Sequence, residues 1–262
     1  MPTIDENIEE WGSRHAWEGR GDEWSTAFGG TEQLWWSIVH PRIRAFLPAG
    51  RILEIAPGHG RMTQYLLGAC TRLTAVDLNA GCVEACEQRF AAVEHLELYA
   101  NDGRSLPMVD DASIDFAFSF DSLVHVDRDV MRSYLHELAR TLAPGGVAFL
   151  HHSNAAQFAE PVRRLTGGWA PALGERVNRR LNRNWRSDEV SAGALASMAR
   201  EAGLVAVVQE KVNWLARLPN DCFSTLTRPG SRWDRPPVAT RNLRFMEEAR
   251  RARELSRLYR WG

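Results

Sequence analysis

The sequence predicts an α/β fold, in which a mainly parallel sheet carries helices on both faces. Short apolar runs alternate with helix-period segments between residues 51 and 154, which is the pattern of successive strand, helix and strand units. The connections are short, which suits parallel strands joined by crossover helices. Hydrophobic residues make up 44% and charged residues 25% of the 262 residues. That balance is typical of a folded globular protein and excludes a disordered or fibrous chain.

The predicted elements follow in chain order. Strands are predicted at 52–55, 73–76, 96–99, 114–118 and 147–150, with helices at 62–66, 83–90 and 129–143. The last of these helices repeats its apolar residues at spacings of three and four, and the Pro144-Gly145-Gly146 turn ends it. A helix over 191–202, a strand over 204–212 and a charged helix from about 243 to 259 complete the prediction.

Composition divides the chain into three predicted parts, namely a helical N-terminal cap (1–48), a main domain (49–227) and an Arg-rich C-terminal helical extension (228–262). The cap contains five of the ten tryptophans, which are Trp11, Trp17, Trp24, Trp35 and Trp36. Because so much aromatic surface precedes the sheet, we expect this cap to act as a lid over the cleft. We also expect the main domain to fold without residues 1–36.

Charge and cysteine usage limit the partners and the compartment. Lys+Arg 32 against Asp+Glu 33 gives a net charge of −1, so no overall field attracts nucleic acid or an anionic membrane. No apolar run is long enough to span a membrane, and the acidic first residues predict no signal peptide. Cys70, Cys82, Cys86 and Cys222 lack the CxxC spacing, and reduced thiols are expected. We therefore expect a cytoplasmic protein that binds no nucleic acid.

A glycine turn follows the first predicted strand, in the string Glu54-Ile-Ala-Pro-Gly58-His-Gly60. Glycine lets the backbone approach a ligand closely, and the helix that follows directs free N–H groups at it. The next strand ends at Asp77, whose carboxylate can accept hydrogen bonds from ribose hydroxyls. Thr63 stands where a dinucleotide fingerprint has its third glycine, which argues against a nicotinamide cofactor.

These motifs together resemble the class I S-adenosylmethionine-dependent methyltransferases. The resemblance covers about residues 51–212 and depends on the strings ILEIAPGHG, TAVDLN, NDG, FSFDSLVHV and LAPGGVAFL. It implies a Rossmann-like, mainly parallel seven-stranded sheet and S-adenosylmethionine as cofactor. Pro57 departs from the family, which more often has a small flexible residue at that position.

The resemblance also implies a set of cofactor-binding residues. Gly58 and Gly60 are expected to pass beneath the methionine part of the cofactor, and Asp77 to bind its ribose. Asp102 and Gly103 are expected at the adenine amino group. Glu54 and Phe120 are expected to border the methionine end. The full expected set is Glu54, Gly58, Gly60, Asp77, Leu78, Asp102, Gly103 and Phe120.

Histidines follow the fourth and fifth predicted strands, at the edge where open parallel sheets bind ligands. An imidazole titrates near neutrality and can accept a proton from a hydroxyl. His152 and His151 are therefore the first candidates for a general base, His125 is the second, and Asp121 is the group to consider next. Because His151 and His152 are adjacent on a strand, at most one of them faces the cleft. His59, inside the glycine turn, is expected to belong to the cofactor loop.

Two acidic pairs raise the question of a metal ion. Some methyltransferases hold a divalent cation with clustered carboxylates to lower the pKa of a hydroxyl. A turn before a strand explains Asp110 and Asp111, and the start of a helix explains Asp127 and Asp129. No metal site is predicted.

A narrower resemblance suggests the acceptor. The segments GDEWSTAFGGTEQLWW, FSFDSLVH, HHSN, NWR and NDCFS are similar to bacterial enzymes that methylate sugars. That resemblance implies transfer to a hydroxyl of a sugar or glycosylated small molecule. Arg183 and Arg186 are candidates for holding a phosphate or carboxylate of a nucleotide sugar.

Other functions remain open at this point. The first alternative is N-methylation of an aminosugar or another small amine. The second is a non-enzymatic protein that binds the cofactor or a protein partner. Methylation of nucleic-acid amino groups is disfavoured, because Asp-Ser-Leu-Val at 121–124 replaces the usual N/D-PP-Y/F string. The sequence also leaves open whether the protein is an oligomer.

Overall fold

The structure is a computed structural model that describes residues 3–166 and 185–258. Its centre is one sheet of eight strands in the order β3-β2-β1-β4-β5-β7-β6-β8. The strands are β1 (Ala49–Ile55), β2 (Cys70–Asp77), β3 (Leu96–Ala100), β4 (Ile114–Ser119), β5 (Leu142–Ser153), β6 (Val205–Val212), β7 (Asp221–Thr227) and β8 (Val238–Asn242).

The first five strands of the sheet are parallel, and β7 runs antiparallel to both of its neighbours, β5 and β6. β1 lies between β2 and β4, so the chain leaves it in one direction through β2 and returns on the other side through β4. Ligands of open α/β sheets bind at such a reversal, beyond the carboxyl ends of the strands. The topology therefore places the site after β1, β2 and β4.

Helices cover both faces of the sheet. The α-helical segments are α1 (Ile4–Glu9), α2 (Thr31–Leu34), α3 (His40–Ile43), α4 (Thr63–Leu66), α5 (Ala80–Arg89), α6 (Arg128–Thr141), α7 (Ala156–Thr166), α8 (Ala192–Glu201) and α9 (Phe245–Leu258). Side chains of β4 show how the two faces differ, since Ala117 belongs to one apolar core and Phe116 and Phe118 belong to the other. This division follows from the alternation of side chains along a strand.

The helix α6 illustrates why these residues form their element. Asp127 is its N-cap, and the carboxylate accepts a hydrogen bond from the Val130 backbone N–H over 2.7 Å. Burial of Met131, Leu135 and Leu138 on one face packs the helix on the sheet. The N-cap role predicted for the Asp127 region is confirmed.

The predicted fold class is correct, but the sheet has one strand more than the seven expected. The additional strand, β8, pairs with β6 and lies inside the segment 228–262, which was expected to be a helical extension only. Its side chains are mostly exposed, so no hydrophobic alternation marks it in the sequence. The helix α9 follows β8 and buries Phe245 and Ala249 in the apolar core that contains Phe116 and Phe118.

The N-terminal cap is helical, as predicted, but part of it is core. Phe28, Leu34 and Trp35 are at most 2% exposed and pack in the same cluster as Phe118. Removing residues 1–36 would open this core to water, which argues against a main domain that folds without them. The cap and the sheet share one hydrophobic core.

The sequence also predicted reduced cysteines and no segment that spans a membrane. Cys70, Cys82, Cys86 and Cys222 are free thiols. None of the helices in the described part of the chain is both long enough and apolar enough to cross a membrane.

Candidate active site

A cavity of about 590 Å³ opens at the carboxyl ends of β1, β2 and β4. Its inner wall consists of the turns that follow these strands, and residues of the N-terminal cap form the opposite wall. The predicted site residues among its lining are Glu54, Gly58, His59, Asp77, Leu78, Gly103, Phe120, Asp121, His125 and Arg186. Gly60, Asp102, His151 and His152 do not contribute to the lining.

The glycine turn after β1 has the backbone shape that only glycine adopts easily. Gly58 has φ +57° and Gly60 has φ +80°, both in the left-handed region that side chains disfavour. A Cβ at Gly60 would overlap the ring of Phe90, and one at Gly58 would lie 3.0 Å from Trp17. Gly60 is therefore needed for packing behind the turn, while Gly58 keeps the cavity wall open.

Asp77 joins two turns at the end of β2. Its Oδ2 accepts a hydrogen bond from the Gly58 N–H over 3.0 Å, and its Oδ1 accepts one from the Asn79 N–H over 2.9 Å. Burial raises the pKa of this carboxyl to about 6. The side chain thus fixes the glycine turn and also presents a buried carboxylate to the cavity.

Glu54 lies at the end of β1 and is 2% exposed. Its Oε2 accepts a hydrogen bond from the hydroxyl of Thr63 over 2.6 Å. Burial raises the pKa of Glu54 to about 7, since the charged form loses its hydration. Thr63, noted in the sequence only as a missing glycine, is therefore the partner of a cavity carboxylate.

The remaining residues of the expected cofactor-binding set separate into two groups. Gly103 and Leu78 both line the cavity, and a Cβ at Gly103 would lie 3.0 Å from Leu78 Cδ1. Asp102 is exposed, and its Oδ1 accepts hydrogen bonds from the N–H groups of Arg104 and Ser105 over 2.8 and 2.7 Å. The carboxylate of Asp102 therefore caps its own turn outside the cavity. Tyr134, from α6, lines the cavity without having been predicted.

The two adjacent histidines of β5 are fully buried behind the cavity. His151 accepts a hydrogen bond at Nδ1 from the Asp121 N–H over 3.1 Å, so its Nε2 carries the proton and donates to Asp221 over 3.0 Å. His152 uses Nδ1 toward the Ser153 carbonyl and Nε2 toward the Ser224 hydroxyl, each over 2.8 Å. Both nitrogens of both rings are engaged, which does not suit the role of a base for a cavity ligand.

His125 is the histidine of the three that lines the cavity. Its Nδ1 lies 2.8 Å from the Trp185 carbonyl. A carbonyl only accepts hydrogen bonds, so Nδ1 carries the proton and Nε2 carries the lone pair. Within the described residues no hydrogen-bond partner is recorded for Nε2. Burial, and after it the charge of Arg186, lowers the pKa of His125 to about 4. The ring is neutral across the physiological range.

Asp121 lies between two guanidinium groups at the cavity wall. Arg61 Nη2 is 3.0 Å from its Oδ2, and Arg186 Nη2 is 3.5 Å from its Oδ1. Burial opposes ionisation, but these two cations hold the pKa of Asp121 below its usual range. Its backbone is left-handed at φ +62°. Arg61 was not predicted, and its long-range pairing leaves no local signal in the sequence. Arg183, the second predicted arginine, lies outside the described residues.

Aromatic rings of the cap and of later segments surround the outer part of the cavity. Trp11 has ring centroids 5.8 Å from Trp24, 5.9 Å from Trp185 and 5.2 Å from His125. Trp214 also lines the cavity and lies 5.7 Å from Phe120. Three of the five cap tryptophans, Trp11, Trp17 and Trp24, line the cavity. Of the other two, Trp35 is buried in the core and Trp36 is 54% exposed.

The acidic pairs considered as metal ligands have other contacts. Asp111 forms an ion pair with Arg140 over 2.6 Å, and Asp127 caps α6. Across residues 3–166 and 185–258, no group of three or more His, Cys, Asp or Glu side chains is arranged to hold a metal ion.

Residues 52–146 match the family described as a methyltransferase domain. Among curated relatives, the demethylmenaquinone methyltransferase of Clavibacter sepedonicus is 30% identical over 119 residues, which are 45% of this chain and 46% of that protein. Shorter matches reach ribosomal RNA small subunit methyltransferases A, over about a fifth to a quarter of their length. The chain therefore spans less than half of the curated relatives it matches.

Solved structures agree in fold. An S-adenosylmethionine-dependent methyltransferase from Mesorhizobium loti gives a TM-score of 0.54 at 18% identity, with 75% of this chain and 98% of that one covered. The N-methyltransferase NodS from Bradyrhizobium japonicum, solved with S-adenosyl-L-homocysteine, gives 0.53 at 17% identity, with 81% and 90% covered. The predicted fold class is thereby confirmed, and the match of residues 52–146 to a methyltransferase domain agrees with the predicted class.

Proposed function

We propose that this chain, with its methyltransferase domain at residues 52–146, transfers a methyl group from S-adenosylmethionine to a hydroxyl of a sugar or glycosylated small molecule. One observation carries the proposal. A single cavity is lined both by the glycine turn with its buried carboxylate, Gly58 and Asp77, and by a neutral histidine, His125. A cofactor site and a proton acceptor therefore share one space.

The residues of the inner wall fit this cofactor. Asp77 uses two backbone N–H donors, and a carboxylate has about four lone-pair positions, so acceptors remain for the two ribose hydroxyls. Buried Glu54 has a pKa of about 7, so a cationic methionine part beside it would favour its ionised form and be attracted by that charge. Gly58 provides the cradle that a Cβ would fill. When bound, S-adenosylmethionine supplies a methyl group on a sulfonium, which is an excellent leaving group.

The remaining residues of the proposed cofactor site lie around this centre. Leu78, Gly103 and Phe120 line the same wall, so they are proposed to contact the adenine and methionine ends. Gly60 supports the turn from behind through its packing against Phe90. Asp102 has a different proposed role, since its carboxylate is bound to its own turn and it stabilises the loop that presents Gly103.

His125 is the proposed general base. Methyl transfer to a hydroxyl requires alignment of the acceptor and a group that takes its proton. His125 is neutral and has its Nε2 lone pair available in the cavity. His151 and His152 have both ring nitrogens engaged behind the cavity, so their proposed role is structural. Asp121 is a weaker candidate, because Arg61 and Arg186 reduce its basicity.

The outer part of the cavity suits a ring-shaped polar acceptor. Sugars bind proteins through aromatic faces that cover their C–H surfaces, combined with polar groups on their hydroxyls. Trp24, Trp185 and Trp214 offer the faces, and the guanidinium groups of Arg61 and Arg186 offer donors. The proposed partner is therefore a small molecule.

A second candidate is N-methylation of a small amine or aminosugar. Glu10 and Asp127 also line the cavity, alongside the indoles of Trp11 and Trp185. Carboxylates together with indole faces favour a cationic ammonium group through charge attraction and cation–π contact. In that case His125 would take the proton of the ammonium before transfer.

A product assay separates these functions. The enzyme is incubated with S-adenosylmethionine carrying a deuterated methyl group and with matched sugar and aminosugar acceptors, and products are identified by mass spectrometry. A labelled O-methyl product, much reduced with His125→Asn, supports the proposal. A labelled N-methyl product from the aminosugar alone supports the second candidate. Cofactor binding without transfer to either acceptor class contradicts both.

A further inference from the structure

We propose that Asp221 is a positioning residue for His125, acting through Arg186 and the backbone carbonyl of Trp185. The inference rests on the proposed function, because it concerns the nitrogen that His125 would use on the acceptor. Asp221 does not line the cavity, so it has no contact with a ligand there. Its effect on the reaction is exerted through other residues.

The first step is the contact that fixes the tautomer of His125. The imidazole Nδ1 lies 2.8 Å from the Trp185 carbonyl oxygen. If that carbonyl turned away, either ring nitrogen would be able to carry the proton, and a large share of molecules would present an N–H instead of a lone pair to the acceptor. The carbonyl of Trp185 therefore decides whether Nε2 is a base.

The second step is that Trp185 does not hold this conformation unaided. Its φ is +52°, in the left-handed region that a bulky residue adopts only when its surroundings impose it. The next two residues supply that constraint. Ser187 donates its N–H to the Val124 carbonyl over 2.8 Å, which ties the segment to the residue before His125. Its own carbonyl accepts a hydrogen bond from the Ser153 hydroxyl over 2.5 Å.

The third step concerns the side chain of Arg186, which lies between Trp185 and Ser187 in the chain. Arg186 Nε lies 3.2 Å from Asp221 Oδ1, and its Nη2 lies 2.9 Å from Asp221 Oδ2, which is a two-pronged contact. The same Nη2 reaches Asp121 over 3.5 Å. A planar guanidinium held at two points by one carboxylate cannot rotate without breaking the contact. The backbone on either side of Arg186 is fixed in turn.

The position of Asp221 makes it a firm anchor. It is 0% exposed and is the first residue of β7, which is paired on one side with β5 and on the other with β6. A buried ion pair contributes little net stability compared with apolar packing, so such a pair is better explained by the geometry it imposes. Here that geometry is the direction of the Trp185 carbonyl.

The test is a nuclear magnetic resonance measurement of the tautomer. Protein with ¹⁵N-labelled histidine is prepared as wild type and as Asp221→Asn, and the His125 signals are assigned with His125→Asn. We expect the Nδ1–H tautomer in the wild type and a mixture with Nε2–H in Asp221→Asn. Turnover should fall about tenfold to a hundredfold while cofactor affinity is unchanged, as expected for loss of alignment.

Glu210→Gln is the matched control. It removes another partly buried arginine–carboxylate fork, since Arg42 lies 2.7 Å from both oxygens of Glu210. Neither residue lines the cavity. It should lower stability in a similar way but leave the His125 signals unchanged. If Asp221→Asn does not fold, Arg186→Lys, which keeps the charge and loses the fork, takes its place.

Unchanged His125 signals in the folded variant would overturn the positioning role, even if turnover falls. The mixed tautomer with wild-type signals in Glu210→Gln supports it. Failure of the proposed function is seen separately. If His125→Asn keeps full turnover, His125 is not the base, whatever the resonance spectra of Asp221→Asn show.

Discussion

The indole of Trp17 stacks on the imidazole of His59, with ring centroids 4.2 Å apart and ring planes 12° from parallel. His59 lies inside the glycine turn between Gly58 and Gly60, so a residue of the N-terminal cap rests directly on the proposed cofactor loop. Trp17 in turn donates its indole N–H to the Trp11 carbonyl over 2.9 Å. The cap and the loop are therefore linked through one aromatic pair.

Replacing Trp17 tests whether the cap acts as a lid. Trp17→Ala should weaken cofactor binding by roughly 0.5–1.5 kcal/mol, because the loop loses its stacked ring, and should lower turnover because water enters the cleft. Calorimetry and steady-state rates measure the two effects. Trp36→Ala is the control, since Trp36 is 54% exposed and does not line the cavity. Equal behaviour of the two variants would assign the cap a packing role only.

The pH dependence of turnover tests the identity of the base. A histidine base works in its neutral form, and burial lowers the pKa of His125 to about 4. With the cofactor saturating at every pH, turnover should therefore be flat from neutral pH down to about pH 5 and fall only below that. His125→Asn should lose about 10²–10⁴-fold in rate. Its remaining turnover should not show the fall below about pH 5. A fall of wild-type turnover centred near the ordinary histidine pKa would indicate that a different group is the base.

Local features of the site were predictable from the sequence, and long-range ones were not. Gly58, Gly60 and Asp77 lie in one strand–turn–helix–strand unit, whose spacing is visible in the chain. His151 and His152 were preferred as bases because the sequence does not show that their ring nitrogens already have partners. Those partners, Asp221 and Ser224, come from β7, about seventy residues later. No local pattern reveals that β7 inserts beside β5.

Three other differences between the sequence analysis and the structure have separate causes. Arg61 was unmarked because its partner, Asp121, is sixty residues away in the chain. Asp102 was expected at the adenine, but its side chain competes for the backbone N–H groups of its own turn, as aspartates commonly do. β8 was missed because its exposed polar residues give an edge strand no hydrophobic alternation.

The buried carboxyl of Glu54 should make stability depend on pH. Its pKa is about 7 in the folded state against 4.5 for the free group, so the folded state binds this proton more tightly. The contribution is fully present below about pH 4.5 and is lost as pH rises through 7, a difference of about 3 kcal/mol.

Glu54→Gln removes this titration. In urea unfolding, the free energy of the variant relative to wild type should therefore rise between pH 4.5 and pH 7.5. Glu94→Gln, at an exposed position, is the control that is measured over the same range. A difference that stays constant for Glu54→Gln would mean that folding does not raise the pKa of Glu54.

Chelation tests the proposal that no metal takes part. Turnover should survive prolonged dialysis against EDTA, since the proposed base is an imidazole and the acidic residues considered have structural contacts. Steady-state rates before and after dialysis provide the comparison. Complete loss of turnover that magnesium or manganese restores would contradict the proposal and direct attention to Asp127 and Asp129.

Calorimetric titration of S-adenosylmethionine into the wild type and Asp77→Ala tests the central claim most directly, because it needs no knowledge of the acceptor. The account predicts one cofactor bound per chain, with binding weakened by about 1–3 kcal/mol in the variant because the buried ribose hydroxyls lose their acceptor. Asp129→Ala, at an exposed position, should bind as the wild type does. Absence of binding to the folded wild type, or equal affinity in Asp77→Ala, would contradict the account.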